Sequence, residues 1–121
     1  MTKNNDKIRY FLYARKSSED QGKQVQSIES QINELKQLAK VRKLEIVAVI
    51  SESKSAKAPG REGFNSLIER VDKGEANGIL CWALDRLSRN PVDSASISWR
   101  LQNETIKHIV TPSSDYYPED N

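Results

Sequence analysis

Residues 10–18 read Y-F-L-Y-A-R-K-S-S, and the fold turns on how this stretch is read. Five apolar or small residues, Tyr10 to Ala14, run without a break before the polarity changes at Arg15. An unbroken run of this kind, bounded by polar residues, suits a strand buried on both faces of a parallel sheet. On that reading the first strand covers residues 8–14, and Arg15, Lys16, Ser17 and Ser18 stand just past its carboxyl end. In open α/β sheets that edge collects ligands and chemistry. Two hydroxyls beside two cations there point to a phosphate being handled.

The same alternation continues outward. Ser27 is placed to cap a helix in which Ile28, Ile32, Leu35 and Leu38/Ala39 recur at helical spacing, with cations in its last turn near Val41–Lys43. Residues 44–50 form a second β-rich run. Arg61 to Lys73 is a second helix, with Phe64, Leu67, Ile68 and Val71 on one face. Residues 79–84 are a third buried run, followed at once by Asp85, Arg86 and Arg89. From Val92 to Gln102, Ala95, Ile97, Trp99 and Leu101 alternate as in a strand, while Val92/Ala95/Trp99 and Ile97/Leu101 fit a helix. Pro91 with Asp93 looks like a helix start and favours the helix, and 106–111 is a fourth strand. Residues 1–7 read as a frayed tail, 18–26 and 51–60 as polar loops, and 112–121 as a polar tail. Strands alternating with helices predict an α/β three-layer domain with a mostly parallel sheet of four or five strands.

A chain of 121 residues supports one core. Its net charge of +2 is mild, so contact with nucleic acid has to come from local clusters of Lys and Arg. A single cysteine, Cys81, excludes a disulfide framework and fits a reducing compartment. No apolar segment reaches the roughly 20 residues that span a bilayer, and the polar opening lacks the apolar core of a signal peptide. A cytoplasmic protein is expected.

If the strands are parallel, three polar clusters share one edge: Arg15 with Ser17, Glu52 to Ser55 leading to Arg61, and Asp85-Arg86 with Arg89. Guanidinium forks match phosphate oxygens and stay charged at any working pH. A serine surrounded by arginines suits attack on a phosphodiester, where negative charge builds on the transferring group. Other chemistries fare worse. The one histidine, His108, lies inside a strand, which leaves a hydrolase triad without its base. One Cys and one His do not make a zinc site, and no G-x-x-x-x-G-K-[ST] or G-x-G-x-x-G occurs.

Four segments together, Y-A-R-K-S-S (13–18), S-I-E-S-Q (27–31), E-S-K-S-A-K-A-P-G-R (52–61) and L-D-R-L-S-R (84–89), resemble the catalytic domain of the serine recombinases, the resolvase/invertase family. The 52–61 loop is most similar to the large serine integrases and transposases. The resemblance spans residues 8–115 and implies a site-specific DNA recombinase domain. In it Ser17 attacks a DNA phosphodiester, leaving a 5′-phosphoserine link and a free 3′-hydroxyl. It implies that Arg15, Arg61, Arg86 and Arg89 bind the phosphate, that Asp85 is the motif acid, and that Gln21 and Gln31 are active-site glutamines. Ser55 matches a supporting loop serine, and Lys54 and Lys57 read as loop cations touching the DNA backbone.

The family uses no metal and no small-molecule cofactor, and works as a dimer that pairs into a synaptic tetramer on DNA. A bacterial or phage-encoded origin follows from the same resemblance. Residues 116–121 would begin the linker to an oligomerisation helix and DNA-binding region, so the chain alone is expected to be inactive on DNA. Lys16 departs from the small resolvases, which often carry an aliphatic residue there. Two rival readings are a catalytically idle assembly module of a recombination complex and a flavodoxin-like binder of a phosphorylated ligand. The plainest alternatives for single residues are a turn serine at Ser17, a solvated helix face for Arg86 and Arg89, and core positions for Cys81 and His108.

Overall fold

Alternation along β1 (Arg9–Arg15) sets the layering. Phe11 and Tyr13 point to one face of the sheet and Tyr10, Leu12 and Ala14 to the other, and all five are buried. The computed structural model describes residues 7–16, 27–53 and 59–118. After β1 come α1 (Ile28–Arg42), β2 (Glu45–Glu52), α2 (Glu62–Asp72), β3 (Gly78–Cys81), α3 (Leu84–Leu87), α4 (Pro91–Gln102), β4 (His108–Val110) and β5 (Asp115–Tyr116). The sheet order is β2-β1-β3-β4-β5, parallel except for β5, which runs antiparallel to β4. The expected three-layer, mostly parallel architecture is therefore present.

Leu35 and Ala39 of α1 cover Tyr10, Leu12, Ala14, Leu80 and Val110. On the opposite face Phe64, Leu67 and Val71 of α2, with Ile97 of α4, close over Phe11, Tyr13, Ile79, Cys81 and Ile109. Ser27 caps α1, its hydroxyl accepting from the Ser30 N–H at 3.1 Å, and Lys43 ends the helix in the left-handed region at φ 60°. Asn90 caps α4 by accepting from the Asp93 N–H at 2.8 Å, with Pro91 at the first helical position.

Three boundaries differ from the sequence reading. Arg15 is the last residue of β1, in register with Glu52, and the ladder extends to a Lys16 N–H donating to the Glu52 carbonyl at 3.2 Å. A buried charge there broke the expected polarity rule. The third run stops at Cys81, and Leu84 instead begins the helical turn α3. The polar tail contains β5, which a turn closed by Thr111 and Ser114 folds back on β4. Two residues of strand are too short to leave a periodicity.

At the amino end of the sheet a polar clasp fastens β5. The Tyr10 hydroxyl meets His108 Nδ1 at 2.6 Å, and His108 Nε2 meets Asp115 Oδ2 at 3.1 Å. Arg42 at the end of α1 donates to both Asp115 oxygens, at 3.1 and 2.6 Å. The Tyr117 ring stacks on His108 at 4.5 Å. Hydrogen bonding from Arg42 holds Asp115 down to about 2, and burial pushes His108 below its ordinary value. Burial also lifts the Tyr10 phenol to about 12, so it stays protonated and donates to His108 Nδ1.

Both acid-side shifts favour the fold in its deprotonated form, so protons taken up by the unfolded chain cost stability. Stability should be full above about pH 6.5 and fall as His108 of the unfolded chain titrates. It should fall again between about pH 4 and 2, by on the order of 2 kcal/mol from Asp115. Thermal unfolding followed by circular dichroism across pH 8 to 2 checks this. Asp115→Asn should flatten the lower step.

Candidate active site

Chain reversal between β1 and β3 brings described residues of the sequence motifs together. The chain leaves β1 toward β2 on one side and returns to β3 on the other, which makes the carboxyl ends of β1 and β3 a topological switch point. β1 pairs with β3 only as far as Tyr13–Cys81, so Ala14 and Arg15 run on past the end of β3. The turn α3, carrying Asp85 and Arg86 and leading to Arg89, packs beside that extension.

A helix of four residues cannot satisfy its own last carbonyls. Two arginines from distant segments do so. Arg15, wholly buried, donates from Nε to the Arg86 carbonyl at 2.9 Å. Arg61, 2% exposed, donates from Nη2 to the Leu87 carbonyl at 2.6 Å. Cations at the negative end of a helical turn are favourably placed. The resemblance assigned both guanidiniums to phosphate; in the structure each grips the segment that carries Arg86 and Arg89.

Arg61 sits in a polar nest that the sequence reading missed. Its Nη2 also donates to Asp93 Oδ2 at 2.9 Å, and its Nη1 to the Tyr13 hydroxyl at 2.9 Å. The Tyr13 hydroxyl in turn donates to Glu52 Oε2. Burial, reinforced by Glu52, pushes the Tyr13 phenol far above its ordinary value, so it remains a neutral relay between carboxylate and guanidinium. The Arg61 guanidinium also lies 4.4 Å above the Phe64 ring.

Glu52 faces inward rather than toward a ligand. Its Oε1 accepts from the Gly63 N–H at 2.8 Å and its Oε2 from the Phe64 N–H at 3.0 Å, so it caps the amino end of α2 from a neighbouring strand. Gln31 likewise faces the chain. Its Nε2 donates to the Arg15 carbonyl at 3.0 Å, tying α1 to the last residue of β1. Asp85 and Arg89 are exposed and Arg86 is half-buried. Ser17, Gln21, Lys54, Ser55 and Lys57 lie outside the described residues.

Among the described residues, no three His, Cys, Asp or Glu side chains gather as a metal site would require, and no helix is long and apolar enough to cross a membrane. His108, in the clasp at the amino end of the strands, stands at the edge opposite this site. Of the residues missed, Asn90 and Asp93 carried a signal: a cap residue followed three positions later by an acid. Tyr13 and Glu52 carried none, since their partners are distant in sequence.

The packing makes one substitution diagnostic. A Cβ added at Gly63 would meet Glu52 Cδ at 2.7 Å, and that carboxylate is pinned by three hydrogen bonds. Gly63→Ala should therefore cost about 1–2 kcal/mol through the lost cap. Thermal unfolding beside Asn65→Ala, an exposed α2 position, measures it, and the control should stay within about 0.5 kcal/mol.

Residues 10–120 match the family model described as Resolvase, N terminal domain. Among solved structures, the chain is similar to a resolvase family site-specific recombinase from Streptococcus pneumoniae. Identity is 28% and the TM-score 0.71, over 95% of this chain and 79% of that one. It is also similar to the C-terminal catalytic domain of ISC1926 TnpA, an IS607-like serine recombinase. Identity there is 29% and the TM-score 0.70, over 86% of this chain and 69% of that one. The N-terminal catalytic domain of TP901-1 integrase shares the fold at 21% identity and TM-score 0.70, over 88% of this chain and 80% of that one. No curated protein matches the chain significantly.

Proposed function

We propose a reaction for this chain from one premise: it belongs to the resolvase N-terminal-domain family, the catalytic domain of serine site-specific recombinases. In the proposed reaction the Ser17 hydroxyl attacks a DNA phosphodiester. The Ser17 oxygen gives up its proton and bonds to phosphorus, and the bond from phosphorus to the 3′-oxygen breaks. That oxygen takes up a proton and leaves as a 3′-hydroxyl, so one proton is lost and one gained. Attack of a 3′-hydroxyl on the phosphoserine reverses the step and rejoins a strand. The ester keeps the bond energy, so the proposal calls on no metal and no nucleotide. Arg86 and Arg89 neutralise the phosphoryl oxygens as charge builds there. Arg15 and Arg61 serve the same phosphate by fixing the turn between them, and Gln31 by fixing the end of β1. Gln21, Lys54, Ser55 and Lys57 belong to the same site as supporting or backbone-touching residues, and Asp85 orients an arginine.

The observation that carries this reading is the hydrogen bond from Arg15 Nε to the Arg86 carbonyl at 2.9 Å. It joins Y-A-R-K-S-S to L-D-R-L-S-R two residues before Ser17 in the sequence. DNA is the partner. A second copy is the further partner, supported by the exposure of Val92 and Trp99 on α4. A cytoplasmic setting fits action on bacterial or phage DNA.

The test is covalent trapping. A recombination-competent protein containing this chain, given nicked DNA, should form a protein–DNA adduct mapping to Ser17. Ser17→Ala should abolish the adduct and Ser18→Ala should leave it. Arg86→Ala and Arg89→Ala should each slow its formation by about 100-fold or more with thermal stability kept. An adduct that persists in Ser17→Ala removes the proposal.

A further inference from the structure

We propose that Asp93 is a positioning residue for strand transfer: it fixes the buried Arg61 guanidinium against the carboxyl end of α3, and through it the stance of Arg86 and Arg89. The inference rests on the reaction proposed above, but Asp93 itself lies outside the motifs that point to that reaction.

The Asp93 side chain projects from the first turn of α4 and is 6% exposed. Its Oδ2 accepts from Arg61 Nη2 and from Asn90 Nδ2, each at 2.9 Å. The same Nη2 donates to the Leu87 carbonyl at 2.6 Å. One nitrogen of Arg61 thus joins both ends of the connection that runs from the last residue of α3 to the first turn of α4, and Arg89 lies on that connection. Asn90 braces the arrangement twice, through its Nδ2 to the carboxylate and its Oδ1 to the Asp93 N–H at 2.8 Å.

The charge on Asp93 has a specific task here. A neutral donor would satisfy the Leu87 carbonyl, but a guanidinium this deeply buried needs an anion to be stable. Glu52 reaches Arg61 only through the Tyr13 hydroxyl. Among the described residues Asp93 is the anion that pairs with Arg61 directly. Arg61 Nε, also buried, has no hydrogen-bond partner among them, so the contacts of the two terminal nitrogens, together with the Phe64 ring beneath, set the orientation of the group. Removing the carboxylate's charge leaves the guanidinium held by Tyr13, Leu87 and Phe64 without its counter-ion, and lets it turn about its stem away from Leu87. Displacement of a catalytic group by about 1 Å from such a change costs on the order of 100-fold in rate.

The experiment uses a recombination-competent protein containing this chain and nicked DNA. It reads the first-order rate of adduct formation at saturating DNA, the DNA half-saturation concentration, and the thermal midpoint. Asp93→Asn is expected to lower the rate by about 10- to 100-fold with half-saturation changed less than about 2-fold. In an Arg61→Gln background the same substitution should have little further effect, because the two residues act as one unit. A wild-type or faster rate in Asp93→Asn, or a slowing that multiplies with that of Arg61→Gln, overturns the inference.

If Asp93→Asn does not fold, Asp93→Glu carries the test, since it keeps the buried charge and moves the carboxylate by one methylene. It should slow the reaction at least about 10-fold at an unchanged midpoint, and a wild-type rate overturns the inference. Ser17→Ala, run beside these variants, separates the two proposals. Its loss of adduct with unaffected Asp93 variants defeats only the Asp93 inference, whereas its retention defeats the Ser17 assignment while the Asp93 variants are still read on the same adduct.

Discussion

Around the site the structure depends on two buried guanidiniums that share one helical turn. Arg15 holds the Arg86 carbonyl and Arg61 holds the Leu87 carbonyl, consecutive groups at the end of a four-residue helix. A turn this short has almost no stability of its own. Its conformation is imposed from outside, by the last residue of β1 and the residue that precedes α2. Desolvating a guanidinium is costly, and the cost is offset here by carbonyls at the negative end of the turn, by Asp93, and by the Phe64 ring. Three segments far apart in sequence are thereby fixed in one geometry.

Strand lengths make room for that geometry. Because β1 outruns β3, the flank of its last two residues is open to α3 rather than to another strand. Gln31 and Glu52 finish the same construction. One fastens the Arg15 backbone to α1, and the other spans from β2 to the start of α2. Several polar groups near the carboxyl edge thus serve as internal fasteners, whereas Asp85 and Arg89 are exposed. At the other end of the strands, the clasp of Tyr10, His108, Asp115 and Arg42 is a separate network.

What the sequence made legible follows from how far each signal reaches. The run Tyr10–Ala14 announces a doubly buried strand because five neighbouring residues say the same thing, and the Ser27 cap is a local rule. Arg15 lies inside the strand although a charge ordinarily marks the exit from a core, and the Arg86 carbonyl that accepts from its buried guanidinium comes from 71 positions away. The inward roles of Glu52 and Asp93 were hidden for the same reason. Glu52 finds Tyr13 across 39 positions and Asp93 finds Arg61 across 32. The four motifs did identify the family, since they collect residues from every segment that meets at the switch point.

Cys81 closes β3 beneath this site, fully buried, with desolvation lifting its thiol to about 12. A thiol that is neither ionised nor reachable is inert toward maleimides and iodoacetamides. It is also the chain's sole sulfhydryl. These 121 residues therefore offer a silent background for labelling chemistry. A cysteine introduced at an exposed position such as Trp99 or Asp85 would take a fluorophore or spin label alone, without first engineering the native residue away.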